Sequence, residues 1–310
     1  MTDLSIVVPV YNEEVNVSML YRRINEALKK EKFSYEIIFV DDGSSDNTFS
    51  IIKKIANSDK KLKVIKFRRN FGQTAAFYEG FQQAKGKIII SMDGDLQNDP
   101  FDIPRLVKKL DEGYDAVCGW RYNRIDSFSK KFVSAFANIF RKMLTKEKIH
   151  DSGCSLRAYK ASAIKSLDLF GEMHRYIPSL LLWKGFKITE IKVNHLPRMH
   201  GKTKYNFTRL LKGGLDLIMV KFWRQYSARP MHLFGGLGIT SFLLGSLTGL
   251  YLAIMRLFYG VPLSNRPLLL LAILLVILGV QLFVLGFLAD IMIKTYYKDK
   301  KYYEVEEVIN

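Results

Sequence analysis

The sequence has few residues that could build a disulfide framework or a zinc site. Its two cysteines are Cys118 and Cys154, and neither belongs to a CxxC pair or to a cluster of metal-ligand residues. Such sparse cysteine usage is typical of a reducing, cytosolic compartment. The first residues, MTDLSIVVPVYNEE, also lack the basic segment and the long apolar core of a signal peptide, and they predict a strand instead.

The chain carries far more positive than negative charge. Its 310 residues include 47 Lys and Arg against 30 Asp and Glu, which gives a net charge of +17. The apolar share of 48% is ample for a core and excludes disorder over the whole chain. The charge excess must face something acidic, namely nucleic acid, anionic lipid or phosphorylated substrates.

Two long runs without any charged residue lie in the C-terminal part of the chain. Leu233–Met255 and Leu268–Ala289 each exceed the roughly 20 residues that span a bilayer as a helix. The turn residues of Tyr259–Pro267 separate them, so the pair predicts a transmembrane helical hairpin. Buried helices of a soluble protein are the alternative, which two such runs in succession make less favourable.

Basic residues flank the hairpin unevenly. The connecting turn has only Arg256 and Arg266. The outer ends have many more, namely Lys212, Lys221, Arg224, Arg229, Lys294, Lys298, Lys300 and Lys301. By the positive-inside rule, this asymmetry predicts an integral protein of the cytoplasmic membrane, with both termini and the large N-terminal domain in the cytoplasm.

Two further stretches are amphipathic and basic. Ser127–Leu144 and Asn206–Gln225 place apolar residues on one helical face with lysines and arginines around it. A helix of this kind beside membrane spans is typical of one that lies in the membrane interface. An ordinary core-facing helix is the alternative; the interfacial interpretation is favoured for the second stretch and left open for the first.

Short apolar runs alternate with helical patterns through the N-terminal half. The predicted strands are Leu4–Pro9, Glu36–Asp41, Leu62–Phe67, Lys87–Met92 and Asp115–Gly119. The helical patterns between them are Glu13–Lys30, Thr48–Asn57, Thr74–Ala84 and Ile103–Asp111. This alternation predicts an α/β fold, with a mostly parallel sheet, helices on both faces, and ligands at the carboxyl ends of the strands.

Acidic residues cluster where predicted strands end. Asp41 and Asp42 close the second strand, and Asp93 and Asp95 follow the fourth. Carboxylates bunched in this way persist when a cation or sugar hydroxyls compensate their repulsion. The Asp-Gly-Asp spacing suits an oxygen-liganded Mg²⁺ or Mn²⁺ that also binds a diphosphate, and Gln97 adds a neutral oxygen.

Seven motifs in a fixed order resemble those of family-2 glycosyltransferases with the GT-A, Rossmann-like fold. They are SIVVPVYNEE, VDDGSSDNT, RNFGQTAAFYEGF, DGDLQNDP, GWRYNR, DSGCSLRAYK and HGKTKY. The sequence is most similar to the polyprenyl- and dolichyl-phosphate sugar synthases, the group of dolichyl-phosphate mannose synthase and the bactoprenol glucosyltransferases. The resemblance covers nearly the whole catalytic half, and the paired C-terminal spans match several bacterial and archaeal members.

The resemblance implies a donor site at the ends of the first, second and fourth strands. The residues implied to bind the nucleotide are Pro9, Tyr11, Glu13, Asp41 and Asp42. Among them, Asp42 is implied to read the base or the ribose. Asp93 is implied to lie near the ribose or the metal, while Asp95 and Gln97 are implied to hold the metal.

The resemblance also implies an acceptor site with basic residues. Arg121 is similar to the residue that meets the acceptor phosphate, and Asp151 takes the place of an aspartate near the reacting groups. The remaining substrate-binding candidates are Arg124, Arg157, Lys202 and Lys204. The two lysines resemble a basic flap that touches phosphate groups. A solvated basic face is the alternative for the set, and a helix cap or an ion pair with Arg157 is the alternative for Asp151.

The chemistry of such a transfer explains the residue types. A lipid phosphate is already anionic and nucleophilic at neutral pH, so it needs orientation and charge neutralisation more than a base. A divalent metal stabilises the charge that develops on a departing nucleoside diphosphate. Direct displacement inverts the anomeric centre. Cys154 stands where some bacterial relatives have an aspartate, so a base role assigned there does not transfer to this chain.

Three other functions are weighed against this one. A processive polysaccharide synthase is disfavoured because the Gln-X-X-Arg-Trp signature of those enzymes is missing. Three residues after Gln225 stands Ala228, followed by Arg229 and Pro230. A nucleic-acid-binding or scaffold protein is disfavoured because the basic residues concentrate near the predicted spans. A degenerate transferase that only assists a flippase is disfavoured by the intact acidic set.

The sequence therefore predicts a metal-dependent, inverting glycosyltransferase. It would move a hexose-type sugar from a UDP- or GDP-linked donor to undecaprenyl or dolichyl phosphate, without binding nucleic acid. The predicted organisation is a GT-A domain over residues 1–204, an interfacial helix over 205–232, two membrane helices over 233–293 and a cytoplasmic tail over 294–310. A homo-oligomer is left open.

Overall fold

The computed structural model describes residues 2–122, 149–197, 222, 226, 229–264 and 266–296. Contacts between residues divide the chain into two units, Met1–Leu217 and Ile218–Asn310. Three predicted site residues, Arg124, Lys202 and Lys204, lie outside the described residues. The same holds for all of Ser127–Leu144 and for Asn206–Gln225 apart from Phe222.

In the described part of the first unit, seven strands form one mixed sheet. They are β1 (Leu4–Val10), β2 (Tyr35–Asp41), β3 (Leu62–Lys66), β4 (Ile88–Ser91), β5 (Ala116–Arg121), β6 (Arg157–Lys160) and β7 (Ile188–Val193). Their order in the sheet is β3-β2-β1-β4-β6-β5-β7. All pairings are parallel except the two that β6 makes, with β4 and with β5. The five predicted strands are confirmed, and the antiparallel β6 and the edge strand β7 are additional.

Six helices among the described residues of this unit pack around the sheet. They are α1 (Val17–Leu28), α2 (Thr48–Ser58), α3 (Gln73–Gln83), α4 (Ile103–Leu110), α5 (Ala161–Lys165) and α6 (Ile177–Trp183), with short 3₁₀ turns at Pro100–Asp102 and Met173–Tyr176. All seven residues of β1 are buried, as expected for a central strand covered on both faces. Ile6 and Val8 join the core layer that contains α1, α2 and α4, whereas Val7 joins the layer that contains α3. Each fully buried side chain of this size contributes about 1.5–3 kcal/mol.

Two long helices make up the described part of the second unit. They are α7 (Met231–Tyr259), which ends at the left-handed Gly260, and α8 (Pro267–Tyr296). The helices approach closely, because a Cβ added at Gly279 would lie only 2.6 Å from the backbone nitrogen of Phe242. In the most apolar 18-residue stretch of each helix, only 17% is buried in α7 and 11% in α8. Both helices are long and apolar enough to cross a membrane, and their apolar surface is not buried as it would be in a soluble core.

Candidate active site

The loops that follow β1 and β2 are hydrogen-bonded to each other. The backbone N–H of Asn12 donates to Ser44 Oγ at 3.0 Å, and the backbone N–H of Glu13 donates to Thr48 Oγ1 at 2.8 Å. Asn12 adopts a left-handed conformation with φ of 56°, which asparagine tolerates in turns. The predicted pocket residues Pro9, Tyr11 and Glu13 therefore lie at the carboxyl edge of the sheet, beside the turn after β2.

The two aspartates at the end of β2 have different environments. The carboxylate of Asp42 accepts the backbone N–H of Phe71 at 2.7 Å and that of Gly72 at 3.0 Å. Burial and the neighbouring charge of Asp41 nevertheless raise the pKa of Asp42 above its ordinary value. Asp41 is fully buried; its Oδ1 accepts the N–H of Ser44, and its Oδ2 has no hydrogen-bond partner among the described residues. Both aspartates thus belong to this edge, and Asp42 also orders the loop before α3.

The Asp-Gly-Asp turn after β4 lies against the end of β1. A Cβ added at Gly94 would be 3.0 Å from the carbonyl oxygen of Pro9, so glycine permits this close approach. Burial, together with the like charge of Asp95, raises the pKa of Asp93. The structure therefore brings the two predicted carboxylate ligands, Asp93 and Asp95, close together at the predicted edge.

Neutral side chains hold this turn in place. Gln73 Nε2 donates to Asp93 Oδ1 at 2.7 Å. Asn98 Oδ1 accepts the backbone N–H of Asp93 at 3.1 Å and the hydroxyl of Ser155 at 2.9 Å. Gln97 uses its backbone N–H to donate to Asp95 Oδ1 at 3.2 Å. The sequence prediction missed Gln73, Asn98 and Ser155, because their neutral side chains give no charge signal. The position of each within one of the recognised motifs was the signal that could have found them.

The acidic turn fits a divalent cation that is also held by its substrate. No group of three or more His, Cys, Asp or Glu side chains that could enclose a metal occurs in the described part of the chain. Mg²⁺ and similar cations, however, commonly take one or two protein carboxylates and complete their shell with phosphate oxygens and water. The carboxylates of Asp93 and Asp95 match that donor set, and their mutual repulsion would be relieved by such a cation.

A second charged group, formed by Arg121 and Asp151, lies near the acidic turn. Arg121 Nε donates to Asp151 Oδ2 at 2.6 Å and Nη2 donates to Oδ1 at 2.9 Å, which is a bidentate ion pair. The side chains are only 14% and 15% exposed. Burial by itself would lower the pKa of Arg121, but the hydrogen bonds and charge of Asp151 outweigh it and raise the pKa. The charge of Arg121 also lowers the pKa of Asp93, so the two groups are neighbours.

Arg157 lies beneath this site, buried in the protein interior. The residue is 3% exposed, and its guanidinium donates to the carbonyl oxygens of Ser152 at 2.5 Å and of His174 at 3.2 Å. The alternative ion pair between Asp151 and Arg157 is therefore not formed, since Asp151 pairs with Arg121. Arg157 holds the loop that carries Asp151, and its positive charge lowers the pKa of Asp93.

Aromatic and charged side chains surround the end of β5. The rings of Trp120 and His150 stack with their centroids 4.4 Å apart, and Lys192 Nζ lies 3.9 Å from the centre of the Tyr122 ring. His150 also contacts Glu190 through its ring and through its backbone N–H. Tyr122 is exposed. These contacts fix the strand end on which Arg121 stands.

Comparisons with known proteins found relatives that span nearly the whole chain. The chain is 41% identical to the dodecaprenyl-phosphate galacturonate synthase of Rhizobium johnstonii, over 96% of the chain and 89% of that protein. It is 36% identical to the undecaprenyl-phosphate 4-deoxy-4-formamido-L-arabinose transferase of Pseudomonas paraeruginosa, over 94% and 86%.

The fold is also found among solved structures. Glucosyl-3-phosphoglycerate synthase from Mycobacterium tuberculosis, in a complex with Mn²⁺, UDP-glucose and phosphoglyceric acid, superposes with a TM-score of 0.55 at 19% identity. The match covers 72% of this chain and 79% of that one and shows a shared GT-A-like fold. Residues 5–168 match the family described as glycosyl transferase family 2. The chain therefore belongs to glycosyl transferase family 2.

Proposed function

We propose that this protein transfers a sugar from a nucleotide sugar to a polyisoprenyl phosphate at the cytoplasmic face of the membrane. The observation that carries the proposal is the meeting, at one sheet edge, of a turn with two neighbouring aspartates and an arginine held by an ion pair. The first group suits a metal-bound diphosphate, and the second suits a phosphate acceptor. Two relatives that cover nearly the whole chain are named for polyprenyl-phosphate substrates, which supports the same pairing.

The donor would bind at the ends of β1, β2 and β4. Pro9, Tyr11 and Glu13 would line the nucleotide pocket, with the buried acids Asp41 and Asp42 beside them. The residues proposed to hold Mg²⁺ or Mn²⁺ are Asp93, Asp95 and Gln97. When bound, the metal would supply charge stabilisation for the departing nucleoside diphosphate.

The acceptor phosphate would bind at Arg121. Asp151 holds one edge of the guanidinium, which fixes its plane and leaves its charge to be shared with an incoming anion. A carboxylate tied in this way serves as a support for Arg121 better than as a general base. No base is needed, because the phosphate monoester is already anionic. Direct attack by its oxygen would invert the anomeric centre. Arg124, Lys202 and Lys204 are proposed to add positive charge around the two phosphate groups.

The membrane anchor matches a lipid acceptor. The two apolar helices α7 and α8 would hold the protein in the bilayer that contains the acceptor, with the 205–232 segment in the interface and the tail of 294–310 in the cytoplasm. The excess of basic residues at the outer ends supports this orientation. A hexose-type sugar on a UDP or GDP carrier is proposed. The relative named for galacturonate fits a hexose skeleton, whereas the one named for 4-deoxy-4-formamido-L-arabinose is named for a pentose.

A donor screen tests the proposal. Detergent-purified protein is incubated with undecaprenyl or dolichyl phosphate, Mn²⁺ or Mg²⁺, and a panel of radiolabelled UDP- and GDP-sugars. We expect one donor to give a lipid-extractable product with a single sugar, and EDTA to abolish it. Polymeric product would instead support a processive synthase. Absence of both transfer and nucleotide binding, with every donor and both lipids, would support a scaffold and contradict the proposal.

A further inference from the structure

The first turn of α3 belongs to a sequence motif, RNFGQTAAFYEGF, to which no chemical role has been assigned so far. Its start is fixed by the strand end before it, because both carboxylate oxygens of Asp42 accept backbone N–H groups, from Phe71 and Gly72. Gly72 has φ of +97°, a conformation that favours glycine. The position at which α3 begins is therefore set by Asp42.

The next two residues connect this turn to other parts of the site. Gln73 reaches Asp93 with its side-chain amide at 2.7 Å. The buried Thr74 makes a hydrogen bond of 2.6 Å between its hydroxyl and His174 Nδ1. Hydrogen bonds hold both neighbours of Gln73, Gly72 through Asp42 and Thr74 through His174. The Gln73 backbone between them therefore has little freedom to move. Its amide is thus held at one place relative to the acidic turn.

The chemistry of the contact between Gln73 and Asp93 is directional. An ionised carboxylate only accepts hydrogen bonds, so the amide nitrogen of Gln73 must face Asp93. The bond occupies Oδ1 and thereby sets the plane of the carboxylate. Gln73 also carries no charge, so it orients Asp93 without adding a positive charge that would compete with a cation. A lysine at this position would add such a charge.

We propose that Gln73 is a positioning residue that orients the Asp93 carboxylate for the metal and the donor diphosphate. The inference rests on the proposed function, since it presumes that Asp93 faces a cation. Partners of metal ligands in other proteins change metal affinity or activity by about 10- to 100-fold when removed. Gln73 occupies such a place, one hydrogen bond away from a predicted ligand.

The test measures metal affinity directly rather than turnover. Mn²⁺ is titrated into detergent-purified full-length protein at saturating UDP, and free Mn²⁺ is followed by electron paramagnetic resonance. We expect Gln73→Met, which keeps the side-chain length and removes the donor, to weaken Mn²⁺ binding about 10-fold or more. The KM for lipid phosphate should stay unchanged, because Arg121 is not touched. Gln73→Asn, whose amide is one methylene shorter, serves as a second variant if Gln73→Met does not fold.

A matched control lies on the same helix. Gln83 contacts Glu79 and Lys63 on the protein surface, away from Asp93. Gln83→Met should leave Mn²⁺ binding within about twofold of wild type, since its hydrogen bonds do not reach a metal ligand. Equal losses in the two variants would overturn the inference, as would full Mn²⁺ affinity in Gln73→Met. Failure of the wild type itself to bind Mn²⁺ with either UDP or GDP would instead contradict the proposed function.

Discussion

Two charged groups meet at the carboxyl edge of the sheet, and they differ in how their charge is balanced. Asp93 and Asp95 repel each other, and this repulsion adds to burial in raising the pKa of Asp93. Arg121 and Asp151 neutralise each other through two hydrogen bonds. An added cation would therefore relieve the repulsion within the pair of aspartates, whereas the Arg121–Asp151 pair is already ordered and offers a fixed donor to an anion. This difference assigns the metal and the acceptor phosphate to separate places.

The largest expected effect comes from removing one charge from the pair formed by Asp93 and Asp95. Asp95→Asn keeps the shape of the side chain and deletes one metal ligand, so transfer should fall at least about 100-fold while the protein still inserts in membranes. Transfer is measured as lipid-extractable radiolabel, and insertion by carbonate extraction. Full activity of the variant with metal present would refute the metal assignment.

Removing the arginine of the Arg121–Asp151 pair should reduce use of the acceptor more than binding of the donor. For Arg121→Ala we expect kcat/KM for lipid phosphate to drop about 100-fold, because a donor to the phosphate is lost. Nucleotide affinity should change far less. Arg121→Lys should recover part of the loss, since it restores the charge without the fork of donors. Equal losses in nucleotide binding and in lipid use would argue against contact with the acceptor.

Removing the carboxylate of Asp151 tests whether this residue supports Arg121 or acts as a base. Asp151→Asn should lower kcat about 10-fold, because the guanidinium loses its charged partner and its fixed plane. The shape of the pH–rate profile should be unchanged. Disappearance of an ionisation from that profile, with Arg121 still ordered, would assign the base role to Asp151 instead.

The smallest effect concerns stability without metal. The pKa of Asp93 is raised in the folded protein, so ionisation of Asp93 costs stability. This cost is absent below the ordinary value of 3.8, grows as the pH rises from there, and is complete above the raised pKa. Asp93→Asn should therefore raise Tm at neutral pH in EDTA by about 2–4 °C, as expected for a gain near 1 kcal/mol.

The same variant should lose the stabilisation that Mn²⁺ and UDP give to the wild type, because bound ligands stabilise only the state that holds them. Differential scanning fluorimetry in EDTA and in Mn²⁺ with UDP measures both effects. A lower Tm of Asp93→Asn in EDTA would show that the charge of Asp93 is already balanced within the chain.

Most of the strands that the sequence predicted correctly share one feature. The runs that became β1, β2, β4 and β5 are mainly apolar, whereas β3 includes two lysines; the observed bounds of all five lie within two residues of the predicted ones. The two strands that were missed lack that pattern. Arg157–Lys160 has a charged residue at each end, and Ile188–Val193 mixes apolar with charged positions. Both are strands because distant partners pair with them, which local sequence does not show.

The site shows the same division between local and long-range information. The acids at the strand ends were predictable, since they follow apolar strands directly. The partner of Asp151 was not, because the nearer candidate Arg157 points into the core and the true partner Arg121 is 30 residues away. Gln73 was overlooked for a related reason: its contact with Asp93 spans 20 residues and involves no charge pair.

The metal is assigned to Asp93 and Asp95 and the acceptor phosphate to Arg121. The most direct test of this assignment is a structure of the full-length protein with Mn²⁺, a nucleoside diphosphate and a short-chain polyprenyl phosphate. We predict an anomalous Mn²⁺ peak within coordination distance of the Asp95 carboxylate and the diphosphate, and the lipid phosphate hydrogen-bonded to Arg121 with Asp151 still in place. A metal bound away from Asp93 and Asp95, or a lipid phosphate that makes no contact with Arg121, would contradict the account.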